Sequence, residues 1–262
     1  MTFPDAPLMA NDSKPVIEFA DAGLRLPDGK ILLSGLNLTI QNGETLMLLG
    51  RSGSGKTTSL KLINRLLEAT SGEVRVEGKS VKQWEATKLR RRIGYAIQDV
   101  GLFPHYTVFE NVALVPKLER WVPGKIRARV EEVLAVVGMP EQEFGERYPD
   151  ELSGGQRQRV GLARALAAEP PILLMDEPFG ALDPITRAEI QMEFKRLQEK
   201  LGKTIVFVTH DVGEALLLGS RIALMESGKL QGVYRPDEFL CSEDRSVKAY
   251  VDVFRAGQQM FR

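Results

Sequence analysis

Short apolar runs and turn residues alternate along the first fifty positions of the chain. VIEF, ILL, LNLTI and TLMLL have strand length, and Asp28-Gly29 and Asn42-Gly43 punctuate them, which predicts antiparallel strands from Val16 to Gly50. Within this run ETLMLLG reads as a buried strand. The following TTSLKLINRLL repeats Leu60, Ile63, Leu66 and Leu67 at helical spacing, so a helix is expected through Leu67. GEVRVEG and IGYAIQ are further strands, with the basic helix ATKLRRR between them. Strand signals then vanish between Val108 and Leu166, where Ile126, Val130, Val133 and Val137 share one helical face. PILLMDEP and TIVFVTHD restore continuous apolar runs, the pattern of parallel strands buried on both faces. Between them Asp183 can cap a helix, Pro184 suits its first turn, Ile190, Phe194 and Leu197 line it, and Gly202 can end it.

These periods predict an α/β fold with a mainly parallel sheet, an antiparallel β subdomain and a helical insert. The expected divisions are a disordered tail over residues 1–15, one domain over 16–240 with the helical insert at about 100–168, and a short helical tail over 241–262. Composition narrows the function classes. Lys plus Arg and Asp plus Glu number 35 each among 262 residues, so no net field attracts nucleic acid or an anionic membrane. The single cysteine, Cys241, excludes an internal disulfide and a cysteine-cluster metal site. No run approaches the roughly 18 apolar residues needed to span a bilayer, and the first fifteen residues lack an apolar block of signal-peptide length. The run Arg90 to Arg92 reads as a solvated helix face, and Trp84 and Trp121 as packing residues.

The chemistry begins at GRSGSGKT, which comprises Gly50, Arg51, Ser52, Gly53, Ser54, Gly55, Lys56 and Thr57, with Thr58 following. The run fits the phosphate-loop pattern G-x-x-x-x-G-K-[ST] at every fixed position, between a strand and a helix. There the helix N-terminus offers unpaired amides to phosphate oxygens, Lys56 reaches the β- and γ-phosphates, and Thr57 ligates Mg²⁺. The core is therefore expected to be that of a P-loop NTPase. Hydrolysis also needs a metal-binding acid and a group that activates water. ILLMDE supplies Asp176 for Mg²⁺ and Glu177 as general base. The run LSGGQRQRV holds a second glycine pair at a helix start, so Ser153, Gly154 and Gly155 form a second anion cradle that one nucleotide would hardly need.

LSGGQ matches the signature of the ATP-binding cassette family letter for letter. From about Val16 to Val233 the chain resembles that family, with GRSGSGKT, Gln98, LSGGQ, ILLMDE, ALD and His210 in the family's order and spacing. The resemblance implies a head-to-tail pair of cassettes, each ATP lying between one copy's phosphate loop and the other's Ser153, Gly154, Gly155 and Gln156. It assigns Gln98 to sensing Mg²⁺ and to coupling, Asp183 to communication across the dimer, and His210 to the γ-phosphate and the attacking water. Many members stack adenine on an aromatic residue where LRLPDG puts Leu26; leucine covers the base but loses a stacking contribution of about 1 kcal/mol.

The same resemblance points to partners. DVGLFPHYTV is apolar and aromatic where the family contacts its transmembrane permease, which makes Phe103, Pro104 and Tyr106 the coupling candidates. ERYPDELSGGQ lacks the extra acidic and glycine segment of many exporters, and IQDVGLFPH is similar to cassettes of importers for glycine betaine, choline and carnitine. The implied setting is the cytoplasmic face of the plasma membrane, with an extracytoplasmic solute-binding protein in the complex. About thirty residues follow Gly232, so no C-terminal osmotic-sensing pair of domains is expected in this chain. The alternatives are a lipid-trafficking or export cassette, or a cassette acting on nucleic acid.

Overall fold

The computed structural model describes residues 14–98, 100–180 and 182–259, so all of the expected N-terminal tail except Lys14 and Pro15 lies outside the described residues. The chain begins with β1 (Ile17–Arg25), β2 (Ile31–Ile40), β3 (Thr45–Leu49), α1 (Lys56–Ile63), β4 (Ser71–Val76), β5 (Lys79–Ser80), α2 (Ala86–Arg92) and β6 (Ile93–Ala96). A helical stretch follows, made of α3 (Val108–Leu118), α4 (Pro123–Val136), α5 (Glu141–Phe144) and α6 (Gly154–Leu166). The remainder is β7 (Ile172–Asp176), α7 (Pro184–Leu201), β8 (Thr204–Thr209), α8 (Val212–Leu218), β9 (Arg221–Glu226), β10 (Lys229–Tyr234), α9 (Pro236–Cys241) and α10 (Arg245–Gln259).

Two sheets result. Antiparallel strands in the order β2-β1-β4-β5 form one, and β10-β9-β3-β8-β7-β6 form the other, parallel except for the β9–β10 pair. Thus β3 does not extend the antiparallel set that leads into it, as the alternating runs had predicted; it sits inside the parallel sheet between β8 and β9. All five β3 side chains are buried, a pattern that serves a two-sided central strand better than a half-wet hairpin. The register places Leu49 opposite Thr209, Asp176 opposite Val208, and Ala96 opposite Met175. Four strands therefore release their chains at one edge of the sheet.

Alternation along those strands feeds two apolar layers. Leu46, Leu48, Ile172, Leu174, Val206 and Val208 pack with α1 and the antiparallel sheet, while Met47, Leu49, Leu173, Met175, Ile205 and Phe207 face the helices of the other side. On that second side Phe179, Phe194 and Phe207 meet with ring centroids 5.5–6.3 Å apart, pinning the segment after β7 to α7 and β8. Trp84 and Trp121 are partly buried packing residues, one against each layer.

Two helical expectations change. The phosphate-loop helix ends at Ile63 rather than Leu67, because Arg65 takes a left-handed φ of 53° and the amides of Leu66 and Leu67 both turn back to the Lys61 carbonyl. Leu66 is consequently 48% exposed. The run Arg90 to Arg92 is a largely exposed helix face, as expected, but its guanidinium groups are engaged. Arg90 donates to the carbonyls of Asn64 and Arg65 at 3.3 and 2.7 Å, closing the end of α1, while Arg91 pairs with Glu119 and Arg92 with Glu77.

One buried side chain holds the segment after Gln98. Asn111, fully buried in α3, accepts from the Phe103 amide at 2.8 Å and donates to the carbonyls of Phe103, Tyr106 and Thr107 at 3.0–3.1 Å. Asn111→Ala leaves the Tyr106 carbonyl and the Phe103 amide without their partner, the Phe103 and Thr107 carbonyls keeping the amides of Tyr106 and Asn111, and is expected to lower unfolding stability by about 2–4 kcal/mol. Chemical denaturation checks this, and a loss below about 0.5 kcal/mol contradicts it.

Candidate active site

The loop after β3 wraps a cavity of about 610 Å³ that takes in Arg51 to Thr58, Gln98, Glu177, His210 and Leu32. Its glycines are demanded by contact. A Cβ on Gly50 would meet the Met225 carbonyl and Ser54 Oγ, and one on Gly55, at φ +100°, would stand 2.7 Å from Leu33 Cδ2. Gly53, at φ +78°, has nothing within 4 Å of such a Cβ and leaves the mouth of the loop open.

Lys56 is 4% exposed, and Nζ donates to the carbonyl oxygens of Gly50 at 2.7 Å and Arg51 at 2.9 Å. Among the described residues no carboxylate forms an ion pair with it, and burial lowers its pKa while Glu177 and Asp176 pull the other way. Thr57 Oγ1 donates to Asp176 Oδ1 at 2.9 Å. Asp176 is 3% exposed at the end of β7. Burial pushes its carboxyl upward, the Thr57 bond opposes that, and the Glu177 charge adds to it. The Tyr95 hydroxyl lies 3.5 Å from the other Asp176 oxygen, and burial together with that carboxylate keeps the phenol protonated.

Glu177 follows in the left-handed region at φ 46°, unusual for a residue with a side chain, its amide donating to the Val208 carbonyl at 3.1 Å. The kink turns Glu177 toward His210, whose Nδ1 lies 3.3 Å from Glu177 Oε2. His210 itself follows β8, 64% exposed at its side chain. The structure thus brings together Lys56, Thr57, Asp176, Glu177, His210 and Gln98.

Other expected site residues lie elsewhere. Leu26 lines a separate cavity of about 590 Å³ with Leu24, Ile31 and Leu33, while its neighbour on β2, Leu32, lines the phosphate-loop cavity. Ser153 caps α6 in a reciprocal pair with Gln156, at 2.8 and 3.2 Å, and Gly155 packs toward Leu182. Asp183 caps α7 by accepting from Ile185 and Thr186. None of Ser153, Gly154, Gly155, Gln156 or Asp183 lines the cavity around Lys56. Phe103 borders a third cavity of about 320 Å³, its ring centroid 5.4 Å from that of Tyr106 in a tilted pair, and Pro104 is exposed.

Sequence reading missed Tyr95 and Leu32. A tyrosine inside the buried strand IGYAIQ needs a partner for its hydroxyl, and that was the available signal for Tyr95. Leu32 gave none, since only the fold decides which leucine of ILL faces the loop.

The cradle suits an anion with a magnesium ion. Ser54 Oγ is buried without a partner, and the loop's own contacts exclude side chains at Gly50 and Gly55. Among the described residues no three His, Cys, Asp or Glu side chains gather as a metal cage. One hydroxyl and one carboxylate, Thr57 and Asp176, instead match an ion that takes its other oxygens from phosphate and water.

Comparison with known proteins bears on the same residues. Residues 33–180 match the ABC transporter family model. The chain is 48% identical over 245 residues to the glycine betaine/carnitine/choline transport ATP-binding protein OpuCA of Bacillus subtilis (strain 168), covering 89% of this chain and 64% of that one. It is 51% identical over 212 residues to the choline transport ATP-binding protein OpuBA of the same organism, covering 81% and 55%. The chain therefore spans about six-tenths of the length of these curated relatives. Among solved structures, the dimeric post-hydrolysis ATP-binding cassette MJ0796 bound to ADP and Pi superposes with a TM-score of 0.77 at 35% identity, covering 84% of this chain and 98% of that one.

Because Lys56 is the buried cation of the cradle, Lys56→Ala is expected to weaken binding of a fluorescent ATP analogue by more than about tenfold. Unchanged affinity in a titration contradicts the assignment of the loop.

Proposed function

The chain belongs to the ABC transporter family, and on that premise we propose that it is the ATP-hydrolysing subunit of a membrane importer for quaternary ammonium solutes of the betaine type. The reading is carried by one observation: Lys56, the Thr57–Asp176 pair and the Glu177–His210 pair converge where four parallel strands end. The solute class is supported by the relatives, which are named for transport of glycine betaine, carnitine and choline.

In this reading the loop amides and Lys56 hold the triphosphate, and the first-turn amides of α1 face its oxygens. Thr57 and Asp176, with Gln98 as a further candidate, would hold Mg²⁺, which would supply neutralisation of phosphate charge. Glu177 Oε2 takes the proton of the attacking water, and His210 steadies both that carboxylate and the γ-phosphate. The left-handed backbone at Glu177 fixes its carboxylate before the substrate arrives.

The second cradle belongs to the same cycle. The amides of Gly154 and Gly155 open α6 with no carbonyl of their own helix to bond, and they serve the ATP of a second copy arranged head to tail. Asp183 lies on the segment that packs against Gly155 and carries the state of one site to the other. Phe103, Pro104 and Tyr106 dock the permease, so closing of the pair is felt in the membrane. No helix among the described residues is long and apolar enough to cross a membrane, in keeping with a peripheral subunit on the cytoplasmic face. An extracytoplasmic solute-binding protein delivers the cargo, and nucleic acid is no partner of this neutral chain.

Glu177→Gln keeps the shape of the side chain and loses its basicity. It is expected to retain ATP while slowing hydrolysis by about 10²–10⁴-fold, read as phosphate release. Wild-type turnover in that variant contradicts the role given to Glu177.

A further inference from the structure

The residue before His210, Thr209, is tied to a buried carboxylate that the phosphate edge does not use, and the residue after His210 is tied to Thr209. Glu214, 6% exposed on α8, accepts a hydrogen bond from Thr209 Oγ1 at 2.5 Å and another from Gln191 Nε2 on α7 at 2.9 Å. Thr209 Oγ1 in turn accepts from the Asp211 amide at 2.9 Å. His210 is therefore the single residue between two pinned neighbours. The other charges that act on this carboxylate are Asp211, which caps α8, and Arg187, one turn before Gln191 on α7. Arg187 donates to the Leu182 carbonyl at 3.1 Å, on the segment that packs against Gly155. From the other side Phe254 of α10 closes on Gly213, with Cε2 3.6 Å from where a Cβ would stand.

Burial makes this arrangement expensive unless it is needed. Desolvation raises the Glu214 pKa against the opposing bonds from Thr209 and Gln191, so the group costs stability that an apolar side chain at the same place would not. What the carboxylate supplies is direction, because two hydrogen bonds of fixed geometry hold the end of β8 to α7. We propose that Glu214 is a positioning residue for His210, tying the end of β8 to α7 so that the imidazole meets Glu177 and moves with the helix that Asp183 opens. The inference rests on the reading that His210 works at the γ-phosphate.

The hydrogen bonds can be exchanged end for end in the full chain. Glu214→Ala removes the tie, and Gln191→Glu sets two carboxylates against each other. Each is expected to lower kcat by about tenfold or more with the KM for ATP changed less than about twofold, the mark of a displaced group rather than a lost binding contact. Combining Gln191→Glu with Glu214→Gln restores the pattern in reverse: the new amide accepts from Thr209 and donates to the new carboxylate. That double variant is expected to recover kcat to within about threefold of wild type. If it stays as impaired as Gln191→Glu alone, or if Glu214→Ala keeps wild-type kcat, the positioning role is overturned. Should the wild-type chain not hydrolyse ATP, the proposed function fails, yet the tie is still testable. The chain has two histidines, His105 and His210, so the His210 imidazole signal is readily assigned by NMR. It is expected to shift in Gln191→Glu and return in the double variant, and a signal that stays fixed throughout overturns the inference.

Discussion

A buried ammonium without a carboxylate governs the phosphate edge of this sheet. Lys56 is enclosed by the loop and, among the described residues, satisfied only by the carbonyl oxygens of Gly50 and Arg51, while Glu177 and Asp176 act on it through space. Carbonyl dipoles stabilise a buried cation less than an ion pair does, so burial leaves the site short of negative charge. Asp176 faces the converse problem, a carboxylate taken out of water and held by neutral hydroxyls. On the proposed reading, polyphosphate and a divalent cation relieve both groups. Fold and ligand affinity are thus coupled through desolvation rather than through an accumulation of contacts.

The sheet makes that coupling possible. Parallel pairing aligns the ends of β3, β6, β7 and β8, and the groups they deliver come from four separate stretches of sequence, only Lys56 with Thr57 and Asp176 with Glu177 being neighbours. The layers above and below hold the strands rigidly, and the Phe179, Phe194 and Phe207 cluster fixes the segment in which Glu177 adopts its left-handed backbone. Strain of this kind costs about 1–3 kcal/mol and persists because its surroundings leave no alternative.

Much of this was legible in the residues. TLMLLGRSGSGKT, ILLMDE and TIVFVTHD each carry a strand and its chemistry in one contiguous run, so periodicity and motif agree there. Contiguity is also where legibility ends. The carbonyl of Arg65 at the end of α1 is capped by Arg90, twenty-five residues on, and the partners of the exposed arginine run were not legible because they are distant in sequence. The choice of Leu32 over Leu26 at the phosphate-loop cavity follows from the turn of β2, which no local pattern encodes. Tyr95 was hidden for a similar reason, its partner lying on the neighbouring strand.

On the proposed reading, the phosphate edge and the LSGGQ helix of one chain do not complete the same site, and none of Ser153, Gly154, Gly155 and Gln156 lines the cavity around Lys56. Gly154 allows a direct test, since a side chain there meets nothing nearer than Arg157 at 4.0 Å, and an acid at a helix start is tolerated by the chain while repelling phosphate. Lys56→Ala and Gly154→Asp are each inactive alone on this view, one lacking the cradle and the other the signature. Phosphate release should reappear when the two purified variants are mixed with ATP and Mg²⁺, because one intact composite site forms in the mixed pair. A mixture no more active than its separate components contradicts a site shared between two copies.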